Sequence, residues 1–518
     1  MKNLLCFLII LTNILLSQNY DTLQNKKLVN GIQYTKLKSK TGKLIINVLK
    51  VNLDQPNIKI VTAKGNDMVH QFNDVPNGGW KGTIPEEQLT ILGLRKSIPE
   101  ENKYVYAAIN GDFGSMGRPN NIQIIDGVIL QYPKTNAVIT FDDKNNVVIE
   151  RVTLDCKLKA KVRDTIVPIH SINEGFRQAD KLIMYNRYIG SDIEEDSIYS
   201  GQNQWGWESA LKPLVNWKIN DTIPCLVMKE RKVGVTTKTK VPKDWIILSE
   251  HNTFDKWTLN EKMEVGDQVK VYTKVNSSLQ NPVQMIGGSP QIIKNGVIQI
   301  EQGYADEGIT FDPNKPKPYL NKSARTIIGY AQDKKTLFMV VVDSNANSDG
   351  MNLQEVSEFM VNSLGVYDAL NLAGGEKSSM AAMLDENLGL QMVDEQPKGE
   401  PNVVNAILIY NIPQATGINN LGDKISKNFV VEQNYPNPFN PTTTIKINIP
   451  EDGYLKVDIY NILGSKVMNI YDNFVNSGYK SLSVKMNNLP TGTYYYKVEY
   501  KTNGGLINSQ VKKMILIK

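Results

Sequence analysis

Residues 366–380 read VYDALNLAGGEKSSM, and this stretch combines a buried strand with a tight polar loop. The alternating apolar residues 366–370 are typical of a strand. The pair Gly374 and Gly375 then lets the backbone turn sharply and approach a ligand closely. Two serines, of which the first is Ser378, add hydroxyl groups. The stretch therefore predicts a ligand-binding loop at the end of a buried strand.

The chain before this loop predicts a strand, a helix and a second strand. Residues 337–342 are a continuous apolar run, as in a strand buried on both faces. Apolar residues then recur at helical spacing over 353–364, Asn352 with Glu355 forms a capping box, and Gly365 is a stop signal. We predict a β-α-β unit inside a strand-rich domain, and hence an α+β domain with a mixed sheet.

Length and composition limit the classes of function. The 518 residues correspond to roughly three domains. A hydrophobic share of 41% and a charged share of 21% are typical of globular proteins. The net charge of +5 is small for this length and the lysines are scattered, which argues against a nucleic-acid partner.

The N-terminus has the pattern of a signal peptide, which we assign to residues 1–18. Lys2 supplies a positive start, and the apolar stretch 4–16 is too short for a spanning helix. Cleavage is expected near Ser17. Because no later stretch is long and apolar enough to cross a membrane, we predict an exported protein without a transmembrane segment in its mature chain.

Cysteine and histidine are too sparse for a metal site built from them. The mature chain keeps Cys156 and Cys225, both in apolar strand-like runs, and contains three histidines in all. Export permits a disulfide between the two cysteines, and two buried free thiols are the alternative. A G-x-S-x-G elbow, which would indicate a serine hydrolase, does not occur.

The C-terminal part has a different pattern. Residues 411–428 are rich in asparagine and glycine and are predicted to be a linker. Short alternating strands over 429–518, separated by turns, predict a small all-β, Ig-like sandwich. Its opening, QNYPNPFNP at 433–441, and its ending, MILIK at 514–518, resemble the C-terminal sorting domain of type IX secretion cargo. That resemblance implies export by the type IX machinery, followed by release or attachment at the cell surface. An ordinary Ig-like module is the alternative.

Four segments in the middle of the chain resemble the phosphodiester glycosidase family, in the order of its motifs. The first three are AAINGDF at 107–113, MIGGSP at 285–290 and ARTIIG at 324–329. The fourth joins VVD at 341–343, GMNL at 350–353 and the loop NLAGGEKSS at 371–379. The resemblance covers residues 28–410. It implies a secreted hydrolase of sugar-1-phosphodiesters or related exopolysaccharide linkages.

The chemistry of such a substrate indicates roles for the motif residues. Arginine's planar fork matches two phosphate oxygens, and cleavage of a glycosidic bond needs a carboxyl group. Each of these residues also has a structural alternative, such as an ion pair, a cap or an Asx turn. The predicted catalytic residues are Asp112, Asp343 and Glu376, and the predicted substrate-binding residues are Asn110, Arg325, Asn371, Gly374, Gly375 and Ser378. The sequence indicates no certain cofactor, and a divalent metal is possible. If the family's site holds a divalent ion, Asp112 and Asp343 are the candidates for binding it.

The loop departs from the family pattern N-L-D-G-G-G-S-S in two places. Ala373 stands where the family has aspartate, and Glu376 stands where it has a third glycine. An arginine expected before the final strand is absent from residues 399–405. An active hydrolase and a catalytically weakened protein that binds glycans or sugar phosphates therefore remain alternatives, together with a purely structural surface protein. Under the first two, the predicted site residues should converge on one concave site.

Overall fold

The structure is a computed structural model with two compact units, Met1–Gln414 and Ala415–Lys518. The residues that it describes are 19–64, 105–115, 118–134, 136–160, 166–173, 181–189, 192–193, 205–233, 239–242, 245–252, 263–386, 388–395, 401–412, 429–450, 453–475, 478–487, 489–502 and 507–517. The predicted signal peptide and nearly all of the predicted linker lie outside these residues.

The first unit is predominantly β. Its first sheet has eight strands, and every neighbouring pair is antiparallel. In spatial order the strands are Tyr20–Val29, Ile32–Ser39, Ile45–Asn52, Thr336–Val342, Arg325–Ala331, Val366–Asn371, Gln291–Lys294 and Val297–Ile298. The predicted α+β class with a mixed sheet is thus met only in part, because strands far outweigh helices.

The predicted strand–helix–strand segment is present. The helix spans Leu353–Leu364; both hydrogen bonds of the Asn352–Glu355 capping box form, and Gly365 ends the helix with a φ of 70°. The strands Thr336–Val342 and Val366–Asn371 flank Arg325–Ala331, and each is antiparallel to it. They therefore run parallel to each other with one strand between them.

A second sheet of five antiparallel strands packs against one face of the first. Its order is Gly389–Met392, Met380–Asp385, Val105–Asn110, Asn405–Asn411 and Ile58–Lys64. Ile109 and Ile407 from this sheet share a core with Ile328 and Leu370 from the first sheet. We call this the inner face of the first sheet. Its outer face packs against the helices Ile300–Asp306 and Leu353–Leu364.

Two further sheets complete the first unit. One has the order Val147–Arg151, Ala137–Asp142, Pro282–Gly287, Ile124–Ile125 and Val128–Ile129. The other has the order Ile166–Pro168, Leu154–Lys159, Gln268–Val275, Thr222–Val233, Trp205–Pro213, Ile246–Asn252, Lys181–Tyr185 and Ser171–Ile172. Three strand pairs stand apart: Asp192–Ile193 with Thr239–Lys240, Ser344–Asn345 with Ser348–Asp349, and Gly114–Ser115 with Arg118–Pro119. Single 3₁₀ turns span Arg187–Ile189, Pro318–Leu320 and Gly375–Lys377.

Cys156 and Cys225 are buried free thiols. They lie on the two strands that flank Gln268–Val275, opposite Thr273 and Val269. Because neighbouring strands are about 4.8 Å apart, a whole strand between the two cysteines puts them out of bonding distance. Burial raises the pKa of both thiols to about 12.

The second unit consists of two antiparallel sheets around one core. The first has the order Val430–Val431, Thr442–Ile449 and Gly478–Lys485, and the second has the order Lys466–Val475, Gly453–Tyr460, Gly492–Thr502 and Ile507–Leu516. Ile445, Ile447, Val457 and Tyr496 lie in the shared core. The predicted two-sheet arrangement is present, whereas its Ig-like character stays a prediction. Within the described part of the chain, no helix is long and apolar enough to cross a membrane.

Candidate functional site

Residues 372–379, here called the glycine loop, connect the first sheet to the second. Ala373 N donates to Gly111 O at 3.0 Å, and Gly375 N donates to Ala324 O at 2.8 Å. The loop is therefore fastened to strand ends of both sheets. Gly375 has a φ of 64°, a left-handed conformation that glycine adopts without strain. Glycine at positions 374 and 375 allows this path of the backbone. The path brings the loop close to Arg325.

Asn110 holds both ends of the glycine loop from the inner face. Its Nδ2 donates to Ala373 O at 2.7 Å, while its Oδ1 accepts from Ser379 N at 2.9 Å and from Thr326 Oγ1 at 2.7 Å. The side chain is fully buried. Both polar atoms of the amide thus bind protein groups, which is the loop-holding alternative allowed by the sequence.

Arg325 begins its strand on the outer face and lies beside the glycine loop. Its Nε donates to Met351 O at 2.9 Å and its Nη2 to Asn321 O at 2.6 Å. A Cβ placed on Gly374 would lie 3.9 Å from Arg325 Nη1. Partial burial lowers the pKa of the guanidinium, and among the described residues it forms no ion pair with a carboxylate. Arg325 is thus a held, half-buried cation without a counter-charge in the described part of the chain.

An aromatic group lies within electrostatic range of Arg325. Tyr304, in the helix Ile300–Asp306, contacts Phe311 edge-on with ring centroids 4.9 Å apart and stacks on Tyr319 at 6.0 Å. Burial raises the pKa of the Tyr304 phenol; the charge of Arg325 opposes the rise and Glu307 adds to it. Tyr304 therefore lies within electrostatic range of both residues. Aromatic walls with a few fixed polar groups are typical of ligand sites.

Asn371 lies on the same outer face as Arg325. It pairs with Ile327, two residues along the strand from Arg325, and side chains two residues apart share a face. Asn371 Nδ2 donates to Ser289 O at 2.6 Å. Asn371 Oδ1 is buried and has no hydrogen-bond partner among the described residues. Buried polar atoms are nearly always paired, so this acceptor indicates a place for a ligand donor.

Glu307 was not predicted from the sequence but belongs to this side of the site. Its Oε2 accepts from Ser289 Oγ at 2.5 Å, and its Oε1 accepts from Ala137 N at 3.1 Å. Burial raises its pKa, while the Ser289 hydroxyl and the Ala137 N–H oppose the rise. The sequence ADEGIT around it has no motif or periodicity. Only the fold places Glu307 beside Ser289, which belongs to the MIGGSP segment.

Asp343 follows its strand at the same end of the first sheet but on the inner face. Val341 packs in the inner core and Val342 in the outer one, so alternation turns Asp343 inward. Its Oδ1 accepts from Asn47 Nδ2 at 2.9 Å. Burial raises the pKa of Asp343 to about 7, Asp394 adds to the rise and Lys36 opposes it. The carboxyl is fully buried.

Asp112 is also buried, and it braces a neighbouring turn. Its Oδ2 accepts from Asn121 N at 2.9 Å, and its own N–H donates to Asn405 Oδ1 at 2.7 Å. Burial raises the pKa of Asp112 to about 7, and backbone N–H groups of Asn121 and Phe113 oppose the rise. A Cβ on Gly287 would lie 2.6 Å from Asp112 Oδ2, so this close packing requires glycine.

The remaining predicted residues lie on the glycine loop itself. Glu376 is exposed in the turn Gly375–Lys377, Ser378 is buried, and Ala373 is 7% exposed. The structure thus brings Arg325, Asn371, Gly374 and Gly375 together on the outer side, while Asn110, Asp112 and Asp343 lie buried behind the loop. Within the described residues, no group of three or more histidine, cysteine, aspartate or glutamate side chains could hold a metal ion.

Two segments of the chain match known family models. Residues 227–410 match the family model described as phosphodiester glycosidase. This segment contains three of the four motif groups, including Arg325 and the glycine loop. Residues 433–517 match the model described as secretion system C-terminal sorting domain. Both resemblances drawn from the sequence are confirmed. No curated protein matches the chain.

The likeness of the fold to one solved structure extends beyond the family segment. A hypothetical protein from Synechocystis is 16% identical with a TM-score of 0.54, and the match covers 76% of this chain and 64% of that one. The chain thus spans less than two thirds of that protein. A Burkholderia pseudomallei protein is 17% identical (TM-score 0.49, coverage 71% and 74%). The catalytic domain of zebrafish N-acetylglucosamine-1-phosphodiester alpha-N-acetylglucosaminidase, auto-inhibited by its pro-peptide, is 12% identical (TM-score 0.33, coverage 76% and 88%).

Proposed function

We propose that residues 28–410 form a secreted hydrolase of sugar phosphodiesters, with Arg325 receiving the phosphate. The observation that supports this most directly is the guanidinium of Arg325: it is half-buried, fixed by two carbonyl oxygens and without a carboxylate partner among the described residues. Keeping an uncompensated cation partly out of water costs free energy that a bound anion would recover. A phosphodiester is such an anion, and the family match supports this class of substrate.

The sugar lies, in this proposal, against Asn371 and the aromatic group around Tyr304. Asn371 Oδ1 is a buried acceptor that a sugar hydroxyl or N-acetyl N–H can satisfy. Tyr304 supplies an apolar wall within electrostatic range of Arg325. Related exopolysaccharide linkages that carry a phosphate fit the same arrangement.

The proton-transfer step is assigned to Glu376. Asp112 and Asp343 have pKa values of about 7, but each has a carboxylate oxygen bound to a protein donor and is almost without exposure. Glu376 is an exposed carboxyl on the glycine loop. Water cleaves the bond between the sugar C1 and the phosphate oxygen: its hydroxyl goes to C1, Glu376 delivers a proton to the leaving phosphomonoester, and the second proton of the water restores the Glu376 carboxyl.

A chromogenic sugar-1-phosphate diester tests the proposal on the purified protein. We expect hydrolysis by the wild type and a loss of about 10²–10³-fold in kcat/KM for Arg325→Gln. Arg187→Gln is the matched control, since Arg187 is also half-buried and packs on Tyr188, remote in sequence from every motif. Equal rates for wild type and Arg325→Gln would refute the phosphate role.

A sugar-phosphate-binding protein without catalysis is the second candidate. Ala373 favours it, because a methyl group stands where the family carries a carboxyl and its backbone N–H and C=O are both bound. Calorimetry with N-acetylglucosamine-1-phosphate separates the two functions. Binding that depends on Arg325, without turnover of the diester, would establish the binder.

The C-terminal unit directs export in this proposal. Residues 433–517 match a sorting domain, and the unit has its own core. We propose that it engages the type IX machinery and delivers the protein to the cell surface or the medium. A chain that ends at Ile412 should fold and keep its ligand behaviour but remain in the periplasm. Surface delivery of that truncated chain would refute the sorting role.

A further inference from the structure

We infer that Glu307 is a positioning residue that acts through Ser289 to hold the amide of Asn371 with its Oδ1 turned to the ligand. This orientation assigns the sugar to Asn371 and the phosphate to Arg325, and this assignment rests on the proposed function. Neither Glu307 nor Ser289 belongs to the set of residues predicted from the sequence.

Ser289 links the other two residues through separate hydrogen bonds of its side chain and its backbone. Ser289 Oγ donates to Glu307 Oε2 at 2.5 Å, and Ser289 O accepts from Asn371 Nδ2 at 2.6 Å. The backbone closes the link, because Ser289 N donates to Asn371 O at 2.8 Å. A Cβ on Gly288 would lie 2.6 Å from Asn371 O, so glycine permits this approach. Ser289 is thus fixed from both sides.

The orientation of an asparagine amide is set by its partners. Both ends of the group have similar size, so a flip exchanges a donor for an acceptor at little steric cost. Because Nδ2 is held by the Ser289 carbonyl, Oδ1 takes the opposite position, where it is buried and without a partner among the described residues. The chain therefore selects an acceptor at this place.

Glu307 suits this task better than a neutral residue. Both of its oxygens accept hydrogen bonds, one from Ser289 Oγ and one from Ala137 N. A carboxylate can only accept, so it holds the serine hydroxyl in one orientation, and bonds to charged groups are the stronger ones. Glutamine would offer an amide N–H to one of the two positions and could release the hydroxyl.

The polarity of this acceptor determines which part of the ligand it faces. A phosphodiester oxygen is itself an acceptor and would be repelled by Asn371 Oδ1, whereas a sugar hydroxyl or N-acetyl N–H can donate to it. The Arg325 guanidinium on the same face presents only donors and attracts the anion. The two residues therefore distinguish the sugar end of the ligand from its phosphate end.

Glu307→Gln tests the inference, with Glu358→Gln as the control on the helix Leu353–Leu364, where the carboxylate is exposed and accepts from the Gln354 side chain. By calorimetry we expect Glu307→Gln to weaken N-acetylglucosamine-1-phosphate about tenfold, as for loss of one well-placed hydrogen bond. Inorganic phosphate should bind both variants like the wild type. Adding Asn371→Ala to Glu307→Gln should produce little further loss.

Selective ¹⁵N-asparagine labelling provides a readout in the free protein. The Asn371 side-chain amide signal, assigned through its absence in Asn371→Ala, should move in Glu307→Gln and stay in place in Glu358→Gln. An unmoved signal, or equal weakening of phosphate and sugar phosphate, overturns the inference. If the wild type binds no sugar phosphate, the proposed function and the sugar assignment fall together, while a shifted amide signal would still support the positioning of Asn371 by Glu307.

Discussion

The two faces of the first sheet differ at the end where the glycine loop leaves it. On the outer face, Arg325 lacks a counter-charge and Asn371 Oδ1 lacks a donor among the described residues. On the inner face, Asn110 uses both ends of its amide and Asp343 accepts from Asn47. Polar groups that the fold satisfies support the fold, whereas those it leaves unsatisfied indicate where a ligand binds.

Strand alternation produces this division. Thr326 and Arg325 are neighbours in one motif, yet Thr326 turns inward to Asn110 and Arg325 turns outward to Met351 O. A motif of consecutive residues therefore serves two purposes at once. Variants distinguish the two purposes, because changes on the inner face should alter stability and changes on the outer face should alter substrate binding and turnover.

The largest effect is expected for Asn110→Ala, on stability. The change leaves Ala373 O, Ser379 N and Thr326 Oγ1 without their partner, and the three are buried together behind the loop. We expect a loss of about 3 kcal/mol in the free energy of unfolding, measured in urea. Asn120→Ala, at an exposed position, is the control. A loss no greater than that of the control would mean that the inner face does not hold the loop.

The sequence predicted what local signals encode. The helix Leu353–Leu364 begins and ends at the residues that its capping signals predict. Asp126–Gly127 and Asn295–Gly296 are sequence signals for hairpin turns, and all four residues have positive φ angles. Local signals could not assign the sheet faces. The inward turn of Asp343 depends on the register of the preceding strand, in which Val342 pairs with Arg325, 17 positions earlier in the chain.

Resemblance to the family motifs predicted only those site residues that lie within the motifs. Arg325, Asn371 and the two glycines meet on one side, although their strands pair through non-local contacts. Glu307 was missed because a buried carboxylate beside Ser289 arises from the packing of a short helix against a strand. No spacing in the sequence encodes that packing.

The second prediction concerns the carboxyl of the glycine loop. If Glu376 supplies the proton, Glu376→Gln should lower kcat by about 10²-fold with little change in KM. Ala373→Asp should then do little or harm, because it places a second negative charge on the loop. Steady-state rates on the chromogenic diester measure both.

The reverse outcome would identify a decayed enzyme. A gain for Ala373→Asp together with no loss for Glu376→Gln would show that position 373 is where a carboxyl works and that this chain lacks it. The double variant completes the cycle. No effect of either change would leave the loop without chemistry and favour the binding protein.

A smaller effect is expected for Arg325→Lys. Lysine keeps the positive charge but loses the planar fork and the bonds that hold it to Met351 O and Asn321 O. We expect about a tenfold rise in KM for the diester and an unchanged stability curve. A loss as large as that of Arg325→Gln would mean that the fork, rather than the charge, carries binding.

The smallest effect on turnover is expected for Asp343→Asn, which changes the pH dependence of stability instead. The pKa of Asp343 rises from 3.8 to about 7 in the fold. The folded state therefore holds its proton where the unfolded state has lost it, so the stability that Asp343 contributes is highest below pH ~4, falls between ~4 and ~7 and is level above. Asparagine removes this slope and should stabilise the protein at pH 8 by about 1–2 kcal/mol. Urea unfolding across this pH range measures both.

Asp112→Asn is the contrast: the pKa of Asp112 is raised as far, but its carboxylate accepts from backbone N–H groups that asparagine satisfies only in part, so the gain should be smaller or reversed. Turnover of Asp343→Asn within about threefold of the wild type would keep the inner face structural, whereas a 10²-fold loss would place Asp343 in the catalytic machinery and end the division between the faces.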